Sequence, residues 1–179
     1  MTPEHAILPI VALFVAGVAL VTDLRARRIP NWLTASALLV GIVGNVCLGV
    51  FGSGLTGAAS GAGVALLGAL LGFALLFPMY LFRVAGVGRV IGAGDVKLLA
   101  ALGALVGPQA LISIAIYAAM AGGIQAVIML MQRGRLGLFA YEALVMRVSP
   151  TPSGAKAPYA LPIFIGVVAS MLLPSVVRF

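Results

Sequence analysis

The chain is poor in charge. Among 179 residues there are 11 Lys and Arg, 4 Asp and Glu, and a single His. At the usual frequency of about 25%, a chain of this length would carry about 45 charged residues. So few charges cannot cover a water-soluble globule of this size. A soluble enzyme and a disordered chain are excluded on that ground. Cysteine is nearly missing as well: Cys47 stands alone, so neither an internal disulfide nor a zinc ribbon can be built. With one histidine, His5 at the chain start, a membrane-embedded serine–histidine pair around Ser53 has no partner. What is abundant is apolar: 63% hydrophobic residues, and 23 glycines beyond them. The expected fold is all-α, a polytopic membrane protein embedded in the lipid bilayer as one domain over residues 1–179.

The scarce charges are ordered. The net charge is +7, which in a soluble domain would suggest nucleic acid. Here the basic residues punctuate apolar runs instead of clustering, so no nucleic-acid partner is expected. The segment Thr2-Pro3-Glu4-His5 lacks a basic stretch, and the first apolar run is therefore expected to be a membrane helix rather than a cleavable leader. A bilayer span needs about 20 residues. Runs expected to be helical cover Ala6 to Thr22, Trp32 to Phe51, Leu55 to Phe82, Asp95 to Val106, Pro108 to Met131 and Tyr159 to Val177. Turns are expected at Pro30, at Gly52-Ser53-Gly54 and at Gly107-Pro108, with a kink at Pro78 and a helix cap at Asn31. Between Gln132 and Pro158, residues 136–148 mix apolar and charged side chains and fit a surface helix or a plain loop equally.

Six spans make orientation countable. With the first connection inside, Arg25, Arg27, Arg28, Arg83, Arg89, Lys97, Arg133, Arg135, Arg147 and Lys156 all fall on the cytoplasmic side, and only Arg178 outside. This positive-inside bias places both termini outside. Gly57 and Gly61, and Gly68 and Gly72, have the spacing that lets helix backbones approach in lipid. Asn45 and Gln125, inside spans, are expected to bond across helices. Trp32 and Tyr159 are expected to be interfacial anchors.

Asp23 and Asp95 are the only aspartates, and the proposed topology puts both at one membrane depth. Ionisable groups there are costly and mark function by default. The competing reading is structural. Asp95 opens a helix, where a carboxylate caps free N–H groups, and Asp23 is spaced to pair with Arg27. Lys97, two residues from Asp95, faces elsewhere and is expected to reach the interface. The functional reading is an aspartyl dyad. Two carboxyls held together share a proton. The ionised one draws a proton from a water that attacks a peptide carbonyl, and the protonated one donates to the carbonyl oxygen. Gly92 and Gly94 lack a Cβ, so an extended substrate backbone can lie against them, and Gly94 is expected to offer a positive φ.

The segments Asp23-Leu-Arg-Ala-Arg-Arg-Ile-Pro-Asn31 and Gly92-Ala-Gly-Asp-Val-Lys97 resemble the signature segments of the type IV prepilin peptidases, membrane aspartyl proteases of the Gly-x-Gly-Asp class. Ala157-Pro-Tyr-Ala160 resembles that family's entry to its last helix. The resemblance implies that Asp23 and Asp95 are catalytic. It implies prepilin and pseudopilin substrates, cut at the cytoplasmic face of the bacterial inner membrane. Larger members of the family carry an added region between the first two spans, often with two Cys-x-x-Cys pairs, and N-methylate their product. The connection from Asp23 to Asn31 is short and has no cysteine. No metal, no cofactor and no methyltransferase activity are therefore expected, and the chain resembles the short, peptidase-only Flp/Tad-type subgroup. Two other classes stay open: a proton-coupled carrier using paired carboxylates, and a non-catalytic assembly subunit that retains the fold.

Overall fold

In a computed structural model of the chain, residues 7–81, 83–84, 88–89, 92–132 and 159–173 are described. Helix α1 spans Ile7–Ala26, α2 Asn31–Leu81, α3 Ala93–Gln132 and α4 Ala160–Leu172. Strands β1 (Arg83–Val84) and β2 (Gly88–Arg89) form a two-stranded antiparallel ribbon, with Arg83 opposite Arg89. The ribbon lies in a glycine-rich stretch that sequence reading gave no regular structure. The all-α reading otherwise stands. Three helices, Ile7–Ala26, Asn31–Leu81 and Ala93–Met129, are long and apolar enough to cross a membrane. The surface agrees: Phe14, Phe51, Leu55, Leu70 and Met120 are exposed on them, as lipid-facing side chains are.

The two longest helices are each divided. In α2, Ser53 and Gly54 leave helical geometry, Gly54 with φ of 65°. In α3 the break is Gly107, with φ of 77°, followed by Pro108. Both breaks fall where the sequence placed turns, and each uses a glycine for a left-handed backbone that a Cβ would oppose. Among the described residues, six helical segments result. Two are short for a span, 93–106 and α4. Pro78 lies inside helix and does not interrupt it.

Small residues set the packing. A Cβ on Gly57 would run into the Gly49 carbonyl, and one on Gly61 into that of Asn45. Limbs 31–52 and 55–81 therefore touch backbone to backbone. Farther along, a Cβ on Gly68 would strike the Gly103 carbonyl, and one on Gly72 would strike that of Leu99. The two Gly-x-x-x-Gly spacings thus serve different neighbours, the hairpin partner and α3. Without a hydrophobic force between helices in lipid, such close contact is what holds a bundle.

Limb 93–106 is the centre of the molecule. Leu98, Leu102 and Leu105 are fully or almost fully buried, as are Leu111 and Ile114 beyond the break. Around them pack Ala12, Ala16 and Ala19 of α1, Leu33 and Ala37 of α2, and Ile163 and Val167 of α4. The break beside this core has a polar solution. Pro108 has no N–H, so the Ala104 carbonyl, four residues back, loses its helical donor. Asn45 of α2 supplies one: its Nδ2 donates to Ala104 O at 2.9 Å, to Leu105 O at 3.3 Å and to Gly41 O of its own helix at 2.9 Å. The expected cross-helix role of Asn45 is what the structure holds.

Candidate active site

Four chain segments meet at one end of the bundle: the last turn of α1, the corner that joins it to α2, the first turn of α3 and the start of α4. Helix α1 runs one turn beyond its expected stop, so Asp23 lies inside its last turn rather than ending it. The Arg27 N–H closes that turn onto Asp23 O at 2.8 Å. Arg27 then takes a φ of 50° and turns the chain out of the helix. Pro30 starts α2 by accepting from the N–H groups of Leu33 and Thr34 at 3.2 and 3.4 Å. The cap expected from Asn31 is thus made by the Pro30 carbonyl, and the Asn31 side chain is engaged elsewhere.

A carboxylate in the last turn of a helix faces the negative end of the dipole and the free carbonyls, an unfavourable place. Asp23 finds its donor on another helix. The Ala160 N–H, at the positive end of α4, points to Asp23 Oδ2 at 3.4 Å. Asp23 is half-buried.

Asp95 is buried, with 8% of its surface exposed. It is the third residue of α3. The Gly92 N–H donates to Asp95 Oδ2 at 3.2 Å, while the Asp95 N–H donates to Gly92 O at 3.2 Å. The side-chain bond is the carboxylate half of a capping box, while a backbone bond closes the turn in return. The structural role considered for Asp95 is therefore present. It engages Oδ2.

The two aspartates, 72 positions apart in the chain, are brought near enough for the Asp23 charge to act on Asp95. Tyr159, just before α4, packs against the core and lies within reach of the Asp95 charge. It was expected only as an interfacial anchor. Trp32, by contrast, is exposed, as an anchor would be.

The two glycines differ. Gly92 is exposed, and beside it stands the Asp95 carboxylate. Gly94 belongs to the first turn of α3 and has no left-handed φ; among the described glycines only Gly54 and Gly107 do. The expectation of a positive φ at Gly94 is corrected accordingly: helix geometry is already in force there. What its missing side chain allows is contact. A Cβ on Gly94 would lie 3.1 Å from Ile29 Cβ. Lys97 reaches the same corner, its Nζ donating to Asn31 Oδ1 at 3.0 Å. Ile29 was not singled out from sequence, although it stands in the quoted Ile-Pro-Asn segment. Glu4, His5, Glu142, the segment 136–148 and Arg178 lie outside the described residues.

The pattern of the Type IV leader peptidase family matches residues 10–127, which takes in both aspartates and the corner between α1 and α2. Two curated proteins, each named prepilin leader peptidase/N-methyltransferase, are similar. That of Pectobacterium carotovorum subsp. carotovorum is 36% identical over 103 residues, 57% of this chain and 34% of the relative. That of Xanthomonas campestris pv. campestris is 32% identical over 114 residues, 63% of this chain and 37% of the relative. The matched region thus spans only about a third of either relative's length. No solved structure matches. The match covers three of the four segments that build the site, all but the start of α4, and on it the chain belongs to the type IV leader peptidase family.

Proposed function

We propose that the protein removes leader peptides from type IV prepilins and pseudopilins, with Asp23 and Asp95 as an aspartyl dyad. The observation that carries this reading is that both aspartates, one from α1 and one from α3, stand at the same end of the bundle. Peptide hydrolysis at such a pair needs one ionised and one protonated carboxyl. The ionised carboxylate takes a proton from water. The resulting hydroxide adds to the scissile carbonyl carbon, and the protonated carboxyl donates to the carbonyl oxygen. Collapse of the tetrahedral intermediate breaks the C–N bond, and the departing amine takes a proton. Fixed donors at both carboxylates, from Gly92 and Ala160, orient the pair before substrate arrives.

The substrate backbone is proposed to pass Gly92, which is open beside Asp95. Gly94 serves the same edge by letting Ile29 close against it. The curated relatives carry a second activity in their names. We propose peptidase activity alone here, because the α1–α2 corner is only a few residues long and holds no cysteine. Small Flp-type pilins are the proposed substrates. Six passes, both termini outside, and the dyad at the cytoplasmic face of the inner membrane complete the reading, supported by the positive-inside count. A proton carrier is less well supported, since both aspartates stand at helix ends rather than near mid-span.

The test is cleavage of a Flp-type prepilin peptide, with basic leader, glycine and apolar helix, by the purified protein in detergent, read by mass spectrometry. Cutting after the glycine is expected, with loss of cutting in Asp23→Asn and in Asp95→Asn. Full activity in either variant would refute the dyad.

A further inference from the structure

The corner between α1 and α2 is held to α3 by two contacts of different kinds. Ile29 fills the space that Gly94 leaves open, with Cβ, Cγ1 and Cδ1 of Ile29 at 3.1, 3.5 and 3.6 Å from where a Gly94 Cβ would be. Two residues later, Asn31 Oδ1 accepts from Lys97 Nζ at 3.0 Å. The spacings agree. Ile29 lies in the corner and Asn31 opens α2 two residues later, while Gly94 and Lys97 are three apart and so share one face of a helix. Asp95 lies between Gly94 and Lys97, and Asp23 is joined to the corner by the Arg27 N–H.

We propose that Ile29 and Asn31, seated on Gly94 and Lys97, form a latch that sets the position of Asp23 relative to Asp95, with Gly94 and Lys97 as positioning residues. The inference rests on the dyad reading. It also gives Gly94 a reason unlike direct substrate contact, since Ile29 and a substrate backbone cannot occupy one space. The corner includes residues 28–30, which are in no helix; backbone hydrogen bonds tie its two ends to α1 and α2, and the latch ties it to α3. Misplacing reacting groups by about 1 Å can cost about 10²-fold in rate.

Volume exchange tests the first contact. Gly94→Val adds three carbons where Ile29→Ala removes three, and volume-conserving exchanges are the best tolerated. Gly94→Val alone is expected to lower kcat by about 10²-fold, the cost of misplaced reacting groups, with KM near that of the unmodified protein. Combined with Ile29→Ala, which clears Cγ1 and Cδ1 but keeps the Cβ at 3.1 Å, it is expected to recover part of that loss. No recovery, or an effect confined to KM, would overturn the latch in favour of substrate contact at Gly94. For the second contact, which is exposed, Lys97→Ala is expected to lower kcat by about two- to fivefold, the scale of a solvent-screened charged pair. Lys97→Arg should retain activity, and Lys97→Ala with Asn31→Ala should be no worse than either alone, because both remove one interaction. Additive losses would overturn it.

A third measurement does not depend on catalysis. In a Cys47→Ser background, Ile29→Cys with Gly94→Cys should form a disulfide on mild oxidation, since the Cβ separation of 3.1 Å has to widen by only about 0.4 Å to enter the usual range. The same pair should close when Asp23→Asn is added. Failure to close would sink the latch. Retained cleavage in Asp23→Asn would sink the dyad reading and leave the crosslink to report on the corner alone.

Discussion

Replacing Asn45 by leucine should loosen the bundle at the α3 break. The side chain is near in size, so the change is mainly one of polarity. Three acceptors lose the Asn45 donor: Gly41 O, Ala104 O and Leu105 O. Gly41 O can keep a partner in its own helix. Ala104 O cannot, because residue 108 is proline. The cost therefore centres on one orphaned carbonyl beside a closely packed core. An unsatisfied buried acceptor costs about 1–3 kcal/mol. Measured cross-helix side-chain bonds in membranes average about 0.6 kcal/mol and reach about 1.7, because the unfolded chain in lipid also finds partners. The two ranges meet at about 1–2 kcal/mol, roughly a tenfold shift in the unfolding equilibrium. Reversible unfolding in mixed micelles, followed by circular dichroism, reads this directly. Ser36→Ala is the control, since Ser36 bonds to Leu33 O within its own helix. A stability for Asn45→Leu equal to or above that of the unmodified protein would refute the assignment of Asn45 to the broken helix.

Other outcomes follow from the same structure. Gly107→Ala should destabilise by about 1–2 kcal/mol, as a left-handed φ is costly for any residue with a Cβ, and a Cβ there would also sit 2.9 Å from Val64 Cγ1; an unchanged melting temperature would contradict this. Gly61→Leu should prevent the hairpin 31–52/55–81 from closing and lower the amount of folded protein, whereas Gly63→Leu, with open space around it, should not. Reporter fusions near Arg27 and Arg135 should read cytoplasmic, and one at the C-terminus external; an internal C-terminus would refute six passes. Glu4→Gln and Glu142→Gln should leave cleavage intact.

Much of this was legible in the sequence because membrane helices obey few rules. Hydrophobic length located each helical segment among the described residues, and Gly-Ser-Gly and Gly-Pro located the breaks, since a left-handed glycine or a missing N–H has no helical substitute. The small-residue spacings announced close approach but not its partner: nothing local says that Gly57 meets Gly49 while Gly68 meets Gly103. The reach of Asn45 to Ala104 was foreseeable in kind only, because the two lie 59 residues apart. At the site, the aspartates were legible as rare charges at helix ends. The corner was not. Ile29 is one apolar residue among many, and its role depends on a glycine 65 positions away. The positive φ expected at Gly94 failed for a related reason: composition says a Cβ is absent, not whether conformation or a neighbour requires it.

Asp23 is the clearest case of a residue placed against local preference. Ending α1 before it would have spared the helix a negative charge among its last carbonyls, and Arg25 in the same turn offsets only part of that cost. The helix nevertheless continues through Asp23 to Ala26, and a donor is brought from α4, 137 residues away. Asp95 differs: first-turn position, dipole and capping all favour it. If capping were the whole role of both carboxylates, Asp23 would have no reason to be there, and Asp23→Asn should stabilise the protein or leave it unchanged, with cleavage preserved. If the pair does chemistry, Asp23→Asn should likewise leave the fold intact, by circular dichroism and membrane yield, but abolish leader removal. Stability alone does not separate the two accounts; cleavage does. The divergence of fold and activity in a single Asp23→Asn variant is therefore the sharpest measurement, and a fall in both together would mean that the Asp23–Ala160 contact serves the bundle rather than the reaction.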